Sequence, residues 1–530
     1  MALNPSLQSL SPFLLTTLTL LLLVSSVDAF GAGYVSRGSH LKATNFRHGD
    51  IALAVPLLAT ANRRLVKQIY FGNWLRDFSQ LIDRSSLSLV PRPILRALVA
   101  VFAFVQFGYA TREFEVTDER LGFYRPEEHV DNPRGYDNGS HSGNSRAQAS
   151  AGEGGAGYQI SEGLRPAVRP AELAIDPRTG MKNYIANAAE VGAVNPTSAE
   201  YVEKQLIAAI ACGRQGDEEA YIHLGAALHT LEDFVAHSNY VELAMLMIGE
   251  DMKDQANITP ALGKVFTYVG GAAKVGTARG PAPPLTTGTF GALDLYQTLL
   301  GELDDKMSAM SLPGLKIRTS DKSGPIQTLA KSLIALLGGL TPSFEKDILK
   351  IQAAAADPRP VTWDELESKP EALWTSLEPV FKLRDDIVKW IYDHLTIRAV
   401  QDALAAISTA IDKLVYMVLG IFLGPLLSEF SKLLKDAEQS LLLRDSEARL
   451  ASGEHSIFNA ESRSTDPTHS QLAKDHYDNP LNELAGRVAV RISSYTVTQI
   501  VQLWQPGNTM DPTPVLAGII EAFHVSFLGF

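Results

Sequence analysis

Apolar residues recur at three- and four-residue spacing along most of the chain, the period of a helix with one buried face. The pattern predicts helices over 51–69, 94–105, 201–211, 220–248, 293–310, 326–337, 344–355 and 485–501, and over 381–434 as more than one helix. Thr197-Ser-Ala-Glu200 after Pro196 is a capping box that opens one of them. Alternation with a period of two is scarce, so the expected fold is all-α. Gly-, Ser-, Pro- and Asn-rich stretches at 137–157, 270–287 and 451–467 read as long loops between helices. They do not coincide with a change of composition. A single helical body over 30–530 with insertions is therefore the expected layout.

The helix expected over 220–248 carries His229, Asp233 and His237 at i, i+4 and i+8. At about 100° per residue the three drift by only about 80° and point into one sector. Leu224, Ala227, Leu228, Leu231 and Phe234 mark the same helix as buried. Buried imidazoles and carboxylates are costly unless paired. Two partners fit: a divalent transition metal, which takes neutral nitrogen and anionic oxygen donors, or ordinary core hydrogen bonding.

Charge and address narrow the classes. The net charge of −12 argues against nucleic acid as the main partner. Residues 13–24 form an apolar run followed by small residues, which reads as a signal peptide ending at Ala29. The expected location is the secretory pathway, then the exterior or the plasma-membrane periphery. Asn138-Gly-Ser140 and Asn257-Ile-Thr259 are glycosylation acceptors consistent with it. Cys212 is the single cysteine, so no intramolecular disulfide forms, and its apolar neighbours suggest a small buried residue. The apolar stretches 94–110 and 414–427 fall short of the roughly 20 residues a spanning helix requires. They read as core helices or as segments lying at a membrane interface.

Further ligands for a metal would come from other segments. His48 lies in Asn45-Phe-Arg-His-Gly-Asp50, Asp77 in Phe71-Gly-Asn-Trp-Leu-Arg-Asp-Phe-Ser, and His129 in Tyr124-Arg-Pro-Glu-Glu-His-Val-Asp131. His469 opens a late helix in a segment that also holds Asp475 and His476. Each has a plainer alternative. His48 and Asp50 suit a helix cap, Asp77 suits a pair with Arg76, and His129 and His476 suit exposed positions.

The strings RHGDI (47–51), GNWLRDFSQ (72–80), YATREFEVTDERLGFYRPEEHVDNP (109–133) and LGAALHTLEDFVAHSNYVEL (224–243) resemble the fungal Het-C family of heterokaryon-incompatibility proteins. TGTFGALD (287–294) and THSQLAKDH (468–476) extend the likeness. That family is in turn remotely similar to the zinc-dependent phospholipase C and P1 nuclease superfamily. The resemblance implies a large multi-helix bundle of that type, with one to three zinc ions. It implies ligands at His48, Asp77, His129, His229, Asp233, His237 and His469, with Asp77 as the catalytic residue of metal-assisted phosphodiester hydrolysis. Two departures stand out. The enzymes have five residues between the central Asp and the next His, where this chain has three. Their late His is followed four positions on by a carboxylate, where this chain has Ala473. The resemblance implies a metal-binding non-self recognition protein that acts on membrane lipids in cell death, with another incompatibility protein as a further partner. An active secreted zinc phospholipase or phosphodiesterase and a metal-free helical interaction protein are the competing functions.

Overall fold

A computed structural model describes residues 45–134 (61, 62 and 88 excepted), 163–251 (193 and 194 excepted), 265–269, 274–291 (278 and 279 excepted), 344–350, 368–394, 430–436, 464–475 and 479–523 (506 excepted), with a few isolated positions. The signal peptide, both glycosylation acceptors, the 137–157 loop, the helices at 293–310 and 326–337, the 414–427 segment, His476 and most of 451–467 lie outside these residues.

The described part is mostly helical. Helices α1 (His48–Ala54), α2 (Arg63–Ser79), α3 (Arg92–Phe107), α4 (Ser198–Gln215), α5 (Glu219–Ala236), α6 (Tyr240–Asp251), α7 (Ala372–His394), α8 (His469–Leu472), α9 (Asn482–Leu503) and α10 (Thr513–Ile520) carry the structure. The capping box is present: the Thr197 hydroxyl accepts from the Glu200 amide at 3.1 Å, and the Glu200 carboxylate accepts from the Thr197 amide at 2.9 Å. Gly108 and Gly216 end α3 and α4 at φ values of 75° and 71°, left-handed positions that glycine adopts without steric cost.

Two expected helices are divided. The 51–69 pattern is broken at Val55, because Pro56 has no amide to donate and disfavours helical backbone in the residue before it. α2 then continues to Ser79, ten residues past the expected end. The 220–248 helix ends at Ala236 and restarts at Tyr240. His237, Ser238 and Asn239 make the turn: the Ser238 hydroxyl accepts from the Tyr240 amide at 3.2 Å, and the Asn239 carbonyl accepts from the Leu243 amide at 3.0 Å. Serine and asparagine compete with the helix for its own backbone groups and suit its start.

The aromatic face of α2 (Phe71, Trp74, Phe78) joins α3 and α7 in one apolar cluster, with Phe104 against Phe381 at 5.0 Å between ring centres. A second cluster gathers α1, α4, α5, α9 and α10. α5 runs at the centre, packed by α2, α4 and α9. Its contact with α2 is backbone on backbone. A Cβ on Gly72 would lie 2.7 Å from the Ile222 Cα, and one on Gly225 would lie 2.7 Å from the Asn73 amide. The 94–110 segment is a core helix, α3, and among the described residues no helix is long and apolar enough to cross a membrane. Cys212 is half-buried, less enclosed than its neighbours suggest, because it lies toward the solvent-facing side of α4.

The 270–287 stretch is more ordered than its composition implies. β1 (Val275–Thr277) and β2 (Gly280–Ala282) pair antiparallel. Beyond them an extended strap makes single bridges from Leu285 to Met181, from Thr287 to Ser238 and from Thr289 to Thr468.

Candidate metal centre

Every histidine and aspartate that the sequence singled out as a ligand converges on the inner end of α5. His48 is the first residue of α1, and Asp77 comes from the last turn of α2. His229 and Asp233 sit one turn apart on α5, with His237 as its C-terminal cap. His129 and Asp131 flank Val130, a β-branched residue held at φ 54°. That backbone is strained for valine and is characteristic of a functional site. His469 opens α8 behind its own capping box, Thr468 with Gln471.

Two adjoining groups result. In the first, His48, Asp77 and His229 place ligand atoms within 4.8 Å of one another, as do His129, His229 and Asp233. Asp233 is the hub. Its Oδ2 lies 2.8 Å from His229 Nε2 and 3.3 Å from His129 Nδ1, and its Oδ1 lies 3.2 Å from His48 Nε2. The second group is Asp131, His237 and His469. The two imidazoles stand 4.4 Å apart between ring centres, and His469 Nδ1 is 3.2 Å from Asp131 Oδ1. Asp475 approaches His237 Nε2 at 3.6 Å, and Asp233 lies 3.7 Å from its Nδ1, joining the groups.

Both departures from the enzyme pattern fall at positions that the structure describes. α5 stops before His237, so the capping turn aims the imidazole across the helix end. The His237 backbone carbonyl accepts from Gly288 at 3.2 Å, and its Nδ1 donates to the His129 carbonyl at 3.1 Å. Ala473 is buried and supplies nothing, and Asp131 provides the carboxylate from a segment more than 300 residues earlier. The strap makes this possible. Asn132 donates to the Gly288 carbonyl at 2.8 Å, His469 donates to the Thr289 carbonyl at 2.9 Å, and Phe290 packs edge-on against His469. Glycine is required at 288, where a Cβ would sit 2.6 Å from the His469 Cα.

The plainer alternatives do not hold for the residues the structure describes. Arg76 turns away from Asp77 and pairs with Glu128 at 2.7 Å. His129 is fully buried, and His48 points into the cluster instead of capping its helix. Asp131, Glu232 and Asn73 are site residues that sequence reasoning missed. Nothing in the local pattern distinguishes Asp131 from its acidic neighbours. Glu232 had a signal, since it sits beside Asp233 between Leu231 and Phe234 on a buried helix.

The residues fit a metal. His48 Nε2, His129 Nε2, both Asp233 oxygens, His237 Nε2 and His469 Nε2 are buried without a hydrogen bond. Buried polar atoms are nearly always bonded, and several of the exceptions among the described residues meet at this one place. Protonation points the same way. Burial holds His229 well below the usual imidazole range. Burial works against the Asp233 carboxylate, but His229, His237 and His129 outweigh it and keep Asp233 ionised far below the usual range. Burial likewise opposes charge on His237, yet Asp233, Asp475 and Asp131 push it up to about 10. His48 is raised by Asp233 and Glu232 in the same way, against its burial. Without a metal, protons on His48 and His237 balance the buried carboxylates. A divalent cation would do that work by displacing them.

An all-α body enclosing a buried His/carboxylate centre is the class that fold and site define. The chain belongs to the Het-C family: Heterokaryon incompatibility protein Het-C matches residues 13–528, nearly its whole length. No curated protein and no solved structure matches it.

Proposed function

We propose that the chain serves heterokaryon incompatibility as a zinc-binding protein of the fungal cell periphery, acting on membrane lipids in the death of incompatible cells. The clustered, unbonded ligand atoms of His48, His129, Asp233, His237 and His469 carry the metal assignment. Family membership carries the biological one. Zinc suits mixed imidazole and carboxylate donors, for which it has no geometric demand of its own. His48, Asp77, His129, His229 and Asp233 would hold the first ion, and Asp131, His237, His469 and Asp475 another. Bound there, zinc would brace five separate segments of chain and act as a Lewis acid toward a phosphoryl oxygen.

Protein purified without chelator is expected to carry at least one zinc per chain by elemental analysis. Chelation is expected to lower its melting temperature by about 3–4 °C per ion, the shift for a ligand held well above its dissociation constant in a chain of this size. Metal-free protein with unchanged melting on zinc addition would sink the proposal. A second reading, a zinc phosphodiesterase, is favoured by the second group, which sets His237 and His469 beside the first. Under that reading zinc-loaded protein turns over bis-p-nitrophenyl phosphate or phosphatidylcholine, and Asp77→Asn abolishes it. Leakage of liposomes without lipid cleavage supports the non-enzymatic form.

A further inference from the structure

Behind the candidate ligands lies a second layer of buried polar groups with a definite direction. Glu232, one residue before Asp233, turns away from the centre and accepts three bonds from three different helices. His48 Nδ1 reaches its Oε2 at 2.6 Å, Asn73 Nδ2 reaches the same oxygen at 2.9 Å, and the Ser493 hydroxyl reaches Oε1 at 2.8 Å. Asn73 continues the chain, its Oδ1 lying 3.3 Å from His229 Nδ1. All five side chains are buried.

The network has one consistent pattern of protons. An ionised Glu232 only accepts, so His48 Nδ1, Asn73 Nδ2 and Ser493 Oγ must donate. Asn73 has then turned its amide NH₂ to Glu232 and its oxygen to His229, which donates from Nδ1. Both imidazoles are thereby Nδ1–H at this end and present Nε2 at the other. Those Nε2 atoms are the ones facing Asp233, at 3.2 Å from His48 and 2.8 Å from His229.

We propose that Glu232 is the positioning residue of the centre, fixing the tautomer and ring orientation of His48 directly and of His229 through Asn73. It touches no metal and acts through both ligands. A carboxylate hydrogen-bonded behind a ligating histidine raises the basicity of the ligand and holds its ring, and its loss typically costs ten- to a hundredfold in metal affinity. Here one carboxylate serves two histidines from two helices, with Ser493 of α9 anchoring its other oxygen. The proposal rests on the zinc reading above.

Glu232→Gln separates charge from shape. Its oxygen can still accept from His48 and Asn73, while its NH₂ faces Ser493, whose hydroxyl can turn to accept. Zinc affinity, measured by competition with a chelator, is expected to fall about tenfold in Glu232→Gln and about a hundredfold in Glu232→Ala. Imidazole ¹⁵N spectra of histidine-labelled protein read the tautomers directly. His48 and His229 are expected as Nδ1–H in wild type and in Glu232→Gln, and His48 is expected to become a mixture in Glu232→Ala. If Glu232→Ala does not fold, Ser493→Ala and Glu232→Gln still test the affinity. Wild-type affinity in Glu232→Gln, or an Nε2–H tautomer at His48 in zinc-loaded wild type, overturns the proposal. If wild type binds no zinc, the function above fails on its own. The metal-free tautomer of His229 then decides whether Glu232 orients that ring through Asn73, and an Nε2–H His229 there overturns the proposal too.

Discussion

Asp233→Asn is expected to empty the centre of metal and to weaken the metal-free fold by about 3–5 kcal/mol, the usual consequence of removing one member of a buried charged set. One carboxylate faces four imidazoles: His229 at 2.8 Å, His48 at 3.2 Å, His129 at 3.3 Å and His237 at 3.7 Å. An amide is neutral, and its NH₂ half would point a donor at a nitrogen whose lone pair the metal needs. The loss of zinc affinity is expected to exceed the hundredfold that marks removal of an outer partner. The pH profile of the metal-free protein gives a second readout. His237 titrates near 10 when folded and near 6.5 when unfolded. Its stabilising contribution is therefore complete below about pH 6.5 and is lost as the pH rises toward about 10. Asp233, with its folded value depressed, contributes above the usual carboxylate range and loses that contribution in acid. Wild type should weaken at both ends, and Asp233→Asn should be flatter across the alkaline limb. Denaturant unfolding from pH 2 to pH 10, with zinc titration at neutral pH, checks these expectations. A variant that binds zinc as wild type does, with an unchanged alkaline limb, would remove Asp233 from the hub.

Local chemistry made some of this site legible, and long-range pairing hid the rest. His229 and Asp233 were readable because helical spacing alone puts them on one face of a helix that Leu224, Ala227, Leu228, Leu231 and Phe234 mark as buried. His237 was readable as a ligand but not as a helix end. The signal was Ser238-Asn239, two capping residues within a pattern read as continuous. Asp77 was found in its motif while its helix was ended ten residues early, although Phe71, Trp74 and Phe78 carry an i, i+3, i+7 stripe that fits α2. Asp131 could not be found from spacing. Its approach to His469 depends on the strap at 285–290, where Leu285, Thr287 and Thr289 bridge one residue at a time to three segments and produce no alternating apolar pattern. Ala473 shows the same limit from the other side, because a missing carboxylate in one segment was supplied by another.

Gly225→Ala is the second large effect, and its sign depends on which of two terms wins. In an ordinary helix interior the change stabilises by about 1 kcal/mol, since alanine is the better helix former. At this position the new methyl group would overlap the Ile69 carbonyl oxygen and lie 2.7 Å from the Asn73 amide and 3.0 Å from the Gly72 Cα. All three are backbone atoms of α2, so no side chain can swing aside and the two helices must separate. Overpacking of a filled core costs about 1–3 kcal/mol, and more when the obstacle is backbone. Net destabilisation of at least about 2 kcal/mol is therefore expected. The damage should reach the centre. One turn beyond the contact, Asn73 of α2 meets His229 of α5 at 3.3 Å, and Asp77 follows one turn later. Separating the helices by a few tenths of an ångström lengthens those approaches and lowers zinc affinity along with stability. Gly216→Ala is the control. Nothing lies within 4 Å of its Cβ, but its φ of 71° is left-handed, so it should cost about 1 kcal/mol and leave zinc binding unchanged. Thermal unfolding of both variants, with chelator competition for zinc, separates the cases. A Gly225→Ala protein as stable as wild type would mean that α2 and α5 are not in backbone contact, and the placement of Asp77 and Asn73 beside His229 would fall with it.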